Sequence, residues 1–317
     1  MNELLWIKDL DVAYGDEPIL RGVSLTVGKS EIVGVVGESG SGKSTVLYAA
    51  LGILGKNGRV TGGELRYDGK DLLAMNREEL RRLRGSEISL IAQNPMDSFH
   101  PIRKVRSQLR ELAACHEGIS PQEAEERILE TMAKINLPDG KRILNSYAFE
   151  MSGGMCQRAS IALSMVMRPK LLLADEPTSA LDVTVQKQVV EELMKVRDSY
   201  GTAILIVSHN MGVISYMADS VVVMYAGMVL EYGDKAAVIR HALHPYTQNL
   251  IRAIPSMDKP APRGVKAIEV DRRTPGCPYA AACSDCTEQC RKALPPFTQA
   301  ETGHFVRCWQ VKEAKAL

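Results

Sequence analysis

The 317-residue sequence has almost no excess charge of either sign: 39 lysines and arginines against 38 aspartates and glutamates leave a net charge of +1. Proteins that grip a nucleic-acid backbone usually carry a clear basic excess, so no nucleic-acid partner is expected. Long apolar runs are also missing. A membrane-crossing helix needs about 18–20 apolar residues, and the best stretches here, Ile32 to Val36 and Val221 to Leu230, are far shorter. Met1 to Leu10 contains Glu3 and Asp9 and lacks a basic segment followed by an apolar one, so no secretory signal is expected and the chain reads as cytosolic. No internal repeat or long low-complexity tract is present.

What is there is ordinary for a folded protein: 45% hydrophobic and 24% charged residues, with length enough for two or three units and an ample core. Five of the seven cysteines crowd between Cys277 and Cys308. In a reducing compartment that crowding suggests metal chemistry and not disulfides. The other two, Cys115 and Cys156, read as buried small hydrophobes.

Leu4 to Val27 reads as short antiparallel strands broken by Gly15, Asp16, Pro18 and Gly22. Glu31 to Val36 is β-branched and apolar, like a strand buried on both faces. From Met75 to Arg142 the pattern turns to charged helices. Ser120-Pro121-Gln122-Glu123 predicts a capping box, followed by Ala124, Ile128, Met132 and Ile135 on one face, with Met132 as core filler. Lys170 to Ala174 and Ala203 to Val207 then flank a helix carrying Val185, Val189, Leu193 and Val196. That alternation implies a parallel sheet covered by helices, hence an α/β fold with an antiparallel part and a helical insert.

Gly37-Glu38-Ser39-Gly40-Ser41-Gly42-Lys43-Ser44, with Thr45 behind it, satisfies G-x-x-x-x-G-K-[ST] between a predicted strand and a predicted helix. Glycines let successive N–H groups converge on phosphates, and the helix start adds its positive end. Lys43 is placed to neutralise β- and γ-phosphates and Ser44 to bind Mg²⁺. The apolar run Leu171 to Ala174 ends in Asp175 and Glu176. Asp175 suits the Mg²⁺ shell and Glu176 the activation of an attacking water, so ATP and Mg²⁺ are the expected ligands. Met151-Ser152-Gly153-Gly154 opens a further helix with Ser152 as cap, and that helix is expected to run to Arg168-Pro169, where the cation would face the helix dipole.

The order of these motifs, completed by Gln93, Ser179-Ala180-Leu181-Asp182 and His209, resembles the ATP-binding subunit of an ABC transporter over residues 3 to about 254. The resemblance implies a P-loop cassette with an antiparallel β subdomain, a parallel-sheet core and a helical insert at about 95–165. It makes Tyr14 the adenine stacker, Gln93 a sensor of γ-phosphate and Mg²⁺, Glu176 the base and His209 a γ-phosphate contact. Ser152, Gly153 and Gly154 would bind the γ-phosphate held by a second ATPase subunit, a paralogue or another copy, and Asp182 would join the nucleotide site. Met155, Cys156 and Asn210 depart from the common glutamine, arginine and aspartate, but none of the three removes a phosphate contact.

Ser-Gly-Gly-Met, Asp182-Val183-Thr184-Val185-Gln186, His244-Pro245-Tyr246-Thr247 and Gly276-Cys277-Pro278-Tyr279 resemble the oligopeptide, dipeptide and nickel importer branch. This implies two membrane permease subunits contacted through Pro95 to Arg110, an extracytoplasmic solute-binding protein, and a peripheral place on the cytoplasmic face of the membrane. The cargo reading is di- or oligopeptide. Nickel or a metal chelate is the alternative, and a soluble ABC ATPase of DNA repair or translation is the second one. Residues 1–254 would form the cassette, 255–272 a linker and 273–317 a cysteine-rich tail. Relatives with such a tail hold a [4Fe-4S] cluster, which implies Cys277, Cys283, Cys290 and Cys308 as ligands. Cys286 forms C-x-x-C with Cys283, so a swapped set or zinc stays open.

Overall fold

The computed structural model describes residues 3–116, 118–179, 181–254 and 272–311. Most of the expected linker, Ala180 and the last six residues of the tail lie outside them. The chain begins with β1 (Glu3–Tyr14), β2 (Glu17–Gly28), β3 (Ile32–Val36), α1 (Lys43–Leu51), β4 (Gly58–Tyr67) and β5 (Lys70–Asp71). Next come α2 (Arg77–Leu83), β6 (Ile88–Ile91), α3 (Val105–Cys115), α4 (Pro121–Lys134), α5 (Gly140–Leu144) and α6 (Gly153–Ser164). The alternating part holds β7 (Leu171–Asp175), α7 (Val183–Tyr200), β8 (Ala203–Ser208), α8 (Met211–Met217), β9 (Ser220–Tyr225) and β10 (Met228–Asp234). The described chain closes with α9 (Lys235–Arg240), α10 (Pro245–Arg252), α11 (Glu288–Lys292), β11 (Thr298–Glu301) and β12 (His304–Val306). Among the described residues no helix is long and apolar enough to cross a membrane.

By compactness the chain divides into two interleaved units, one of Met1–Leu4, Val27–Ile32 and Ala74–Ile206, the other of Leu5–Thr26, Val33–Leu73 and Val207–Leu317. In the first, β7 pairs in parallel with β6, from Ile88↔Leu171 to Ile91↔Ala174. The four-residue β6 sits inside the stretch expected to be wholly helical. It is too short for a readable period, and its partner lies about eighty residues away. The apolar stripe of α4 behaves as expected: Ala124, Ile128, Met132 and the capping Ile135 are all buried. Only half of the capping box forms. Ser120 Oγ accepts from the Glu123 N–H at 3.1 Å, but the Glu123 carboxylate pairs with Arg127 one turn on. Cys156 is buried as expected, and burial pushes its thiol up to about 11. Cys115 is exposed instead, because it ends α3 beyond the buried stripe Val105, Leu109 and Ala113.

In the second unit, the expected short strands are two long ones. Only Gly15-Asp16 breaks the chain there, and Pro18 and Gly22 lie within β2, with the Gly22 N–H on Asp11 Oδ1 at 2.8 Å. The smaller sheet has the order β2-β1-β4-β5, and β1 pairs antiparallel with β4. Of the larger sheet, the run β11-β12-β10-β9-β3 falls here, and the run β8-β7-β6 falls largely in the first unit. β3 is parallel to β9, whereas β10 is antiparallel to both β9 and β12. The cysteine-rich tail therefore adds a hairpin to the sheet, through Glu231↔Val306 and Tyr232↔Phe305.

A buried polar knot fixes that hairpin. Glu231, fully buried, accepts from the Leu243 and His244 N–H groups at 2.8 and 2.9 Å and meets His304 Nε2 at 2.8 Å. His244 caps α10 by accepting the Tyr246 N–H on Nδ1 at 3.0 Å, a bond that only the neutral ring can make. Burial lowers its pKa from 6.5 to about 4, against a smaller opposing pull from Glu231. The stability carried by neutral His244 is complete above pH 6.5 and is lost as pH falls toward 4. His244→Asn keeps the cap and removes the titration. It should flatten the fall of the thermal midpoint between pH 6.5 and 4 seen in the parent protein, as read by calorimetry.

Candidate nucleotide site

The second unit carries the phosphate loop. β3 is buried along its whole length and delivers the chain to Gly37, where a Cβ would stand 2.1 Å from the Met224 carbonyl oxygen. Only glycine fits there. Gly42 has φ 95° and caps α1, and a Cβ on it would strike Leu20 at 2.7 Å. The Lys43 ammonium, on a residue only 4% exposed, donates to the carbonyls of Gly37 and Glu38, both at 2.8 Å. The loop is thus folded around its own lysine. The first turn of α1 contains no acidic side chain to compete for its N–H groups. Ser44 and Thr45 are half-buried in that turn, and Glu38, Ser39 and Gly40 are exposed.

Two contacts on this loop carry no signal in the sequence. The Glu38 N–H donates to Tyr246 Oη at 3.0 Å, and Arg272 Nη2 donates to the Gly40 carbonyl at 2.6 Å. His244-Pro245-Tyr246-Thr247 is visible in the sequence as a family mark, with no sign of what Tyr246 touches. Tyr14 ends β1 half-buried opposite Gly58, and His209 is exposed just beyond β8, followed by Asn210 as the cap of α8.

The first unit brings Asp175, Glu176 and Gln93 together. Asp175 ends β7 and is 1% exposed, and Glu176 follows in the left-handed region at φ 42°. That conformation costs a non-glycine residue on the order of 1–2 kcal/mol, and strain of this kind gathers at functional sites. Gln93 Nε2 lies 3.5 Å from Glu176 Oε2. Ser152 caps α6, accepting the Met155 N–H at 3.3 Å; Ser152 and Gly153 are exposed, and nothing stands within 4 Å of a Cβ built on Gly153. An open helix start of this kind is an anion site in waiting. α6 stops at Ser164, short of Arg168, whose guanidinium pairs with Glu130 at 3.2 Å and does not serve the dipole of α6. Asp182 spends its carboxylate on the Thr184 and Val185 N–H groups, both at 3.0 Å, as the cap of α7.

Among the described residues, no group of three or more His, Cys, Asp or Glu side chains is arranged to hold a single metal ion. The tail thiols nevertheless feel one another. Burial pushes Cys277 up to about 11, with smaller upward pushes from Cys290, Cys308 and Cys283. Cys308 and Cys283 are raised by burial too, and Cys290 and Cys308 respectively add to it. Cys286 adds a further push on Cys283, and thiols so grouped offer the donor chemistry that both zinc sites and iron-sulfur groups use.

Comparison with known proteins bears on both halves. The family model described as ABC transporter matches residues 20–179, and that described as oligopeptide/dipeptide transporter, C-terminal region, matches residues 230–290. The oligopeptide transport ATP-binding protein OppD of Salmonella typhimurium is 37% identical, covering 98% of this chain and 95% of its own length. The dipeptide transport ATP-binding protein DppD of Escherichia coli is 36% identical, covering 96% of each. Among solved structures, the dimeric bacterial ABC transporter cassette MJ0796 is 26% identical with a TM-score of 0.64, covering 73% of this chain and 99% of that one. With glycines that only the loop geometry explains, a strained carboxylate after β7 and similarity along nearly the whole chain, the protein belongs to the ATP-binding subunits of ABC transporters, with the C-terminal region of the oligopeptide and dipeptide branch.

Proposed function

We propose that the chain is the ATP-hydrolysing subunit of an importer of di- or oligopeptides. The observation that carries this is the pairing of a phosphate loop folded around Lys43 with a C-terminal region of the peptide-transporter type. It works at the cytoplasmic face of the membrane, beneath two permease subunits touched through Pro95 to Arg110, with a second ATPase subunit beside it and an extracytoplasmic binding protein delivering cargo.

In this reading Tyr14 stacks on adenine and the Gly37–Thr45 backbone and Lys43 hold the phosphates. Ser44, Gln93 and Asp175 are the residues that would hold Mg²⁺, which neutralises phosphate charge when bound. Glu176 takes the proton of the attacking water, Gln93 keeps that carboxylate in place, and His209 fixes the γ-phosphate. Ser152, Gly153 and Gly154 offer the start of α6 to the triphosphate carried by the second subunit, and Asp182 supports this surface by capping α7. ATP then bridges two subunits. Shifting a two-state assembly from 1:99 to 99:1 takes about 5.5 kcal/mol of differential binding, which two bridging triphosphates supply and hydrolysis removes.

The [4Fe-4S] cluster on Cys277, Cys283, Cys290 and Cys308 belongs to the same proposal, supported by the mutual influence of those thiols. Burial raises the Cys277, Cys283 and Cys308 thiols, so their conversion to thiolate ligands releases protons. Anaerobically purified protein should be brown, with about four irons per chain; a colourless sample containing stoichiometric zinc would replace the cluster by zinc.

ATP turnover by the membrane complex tests the main reading. Lys43→Ala should abolish it, and Glu176→Gln should retain ATP and trap a closed pair of ATPase subunits, seen as a larger particle in light scattering. Parental turnover in either variant would refute the assigned roles. Glu176→Gly removes the base together with its left-handed strain. It should melt no lower than the parent, with a gain of about 1 kcal/mol at most, while turnover is lost.

A further inference from the structure

A guanidinium reaches the phosphate loop from a part of the chain that ATP chemistry does not require. Arg272 stands just before the cysteine-rich tail. Its Nη2 donates to the Gly40 carbonyl at 2.6 Å, and its Nη1 meets Glu17 Oε1 at 2.7 Å. Its backbone is held in turn: Arg21 of β2 donates to the carbonyls of Arg272 and Thr274, the latter at 3.2 Å. Arg272 also lines a cavity of about 80 Å³ with Glu38, Ser39, Gly40, Ser41 and Tyr225. Two buried polar atoms on that lining, Arg272 Nε and Ser41 Oγ, have no hydrogen-bond partner among the described residues, and the space admits a bridging water.

Gly40 has φ 77°, a conformation with several competitors for a residue without a side chain. A charged donor on its carbonyl selects one of them. In the peptide joining Gly40 to Ser41 the N–H already donates to the Glu38 carbonyl at 3.1 Å, so the Arg272 bond on the opposite, carbonyl side makes the peptide held at both of its polar ends. The same bond polarises that peptide.

We propose that Arg272 is a positioning residue for ATP, locking the Gly40–Ser41 peptide of the phosphate loop from the C-terminal extension while Glu17 holds its guanidinium in place. The inference rests on the ATP-binding reading above. It makes nucleotide affinity depend on the extension through a backbone carbonyl of the loop. Glu17 is 62% exposed and Arg272 23%, so solvent screens the ion pair and Glu17 acts mainly by orienting the guanidinium.

The test is equilibrium binding of MgATP to the full-length chain by titration calorimetry, together with KM and kcat for ATP in the assembled membrane complex. Arg272→Ala should weaken binding about tenfold, the worth of one charge-assisted hydrogen bond, and raise KM to match while kcat stays within about twofold. Arg272→Lys should recover much of the loss, because an ammonium still donates to the Gly40 carbonyl. Glu17→Gln should weaken binding about threefold in the parent and not at all in Arg272→Ala. Unchanged affinity in Arg272→Ala, or equal affinities for the alanine and lysine variants, would overturn the proposal. Should Arg272→Ala fail to fold, Glu17→Gln decides alone, and parental affinity in it counts against the proposal. A parent chain that binds no MgATP, like Lys43→Ala, would instead defeat the ATP reading itself.

Discussion

The two bonds from the Lys43 ammonium to the Gly37 and Glu38 carbonyls constrain everything around them. To reach both oxygens the chain must turn back on itself within six residues, and the turn leaves no space for a Cβ at Gly37 or for a right-handed backbone at Gly42. Gly37 is pressed against the Met224 carbonyl, so the loop is seated on β9, and the Gly227 N–H closes the seat by donating to the Ser41 carbonyl at 3.0 Å. The two ends of the loop are thereby set by sheet packing, which is stiff, and only the exposed tip at 38–40 between them is left to softer contacts.

Features written in adjacent residues are legible in the amino-acid order alone. The phosphate loop, the Asp175-Glu176 strand end, the Ser152 cap and the buried stripe of α4 each depend on neighbours within a few positions. Features that depend on distant partners are not. β6 becomes a strand because β7 lies beside it, and the β11–β12 hairpin exists because β10 offers an edge some seventy residues earlier. The same reason governs the differences of detail. Glu123 has two partners within reach and takes Arg127, and Arg168 takes Glu130 from another helix. Competition between partners in space leaves no trace in spacing.

At the site, residue types are readable and backbone state is not. Nothing in Ala-Asp-Glu-Pro tells that Glu176 is left-handed while Asp175 ends a regular strand. That turn separates the directions of two adjacent carboxylates, which a continued strand would also do, but it does so off the ladder, with Gln93 close to the second one. The strain is local and is held by a strand whose five residues are all buried. For the base role proposed for Glu176 such a platform is an advantage, since a relaxed loop would let the carboxylate wander.

The C-terminal extension is easily taken for an appendage, since a stretch with Pro255, Pro260 and Pro262 separates it from the cassette in the sequence. Its contacts say otherwise. β12 pairs with β10, β10 with β9, and β9 ends at Tyr225, whose ring packs edge-on against Tyr246 and Tyr279 at 4.7 and 5.3 Å between centroids. Tyr246 holds the Glu38 N–H, and Tyr279 lies two residues from Cys277. A rearrangement of the cysteine segment would have to disturb that aromatic packing, and the loop's N–H groups share its walls. Close-packed interiors respond to such displacement by switching and not by yielding gradually. The extension is therefore better understood as one wall of the phosphate loop than as a separate module.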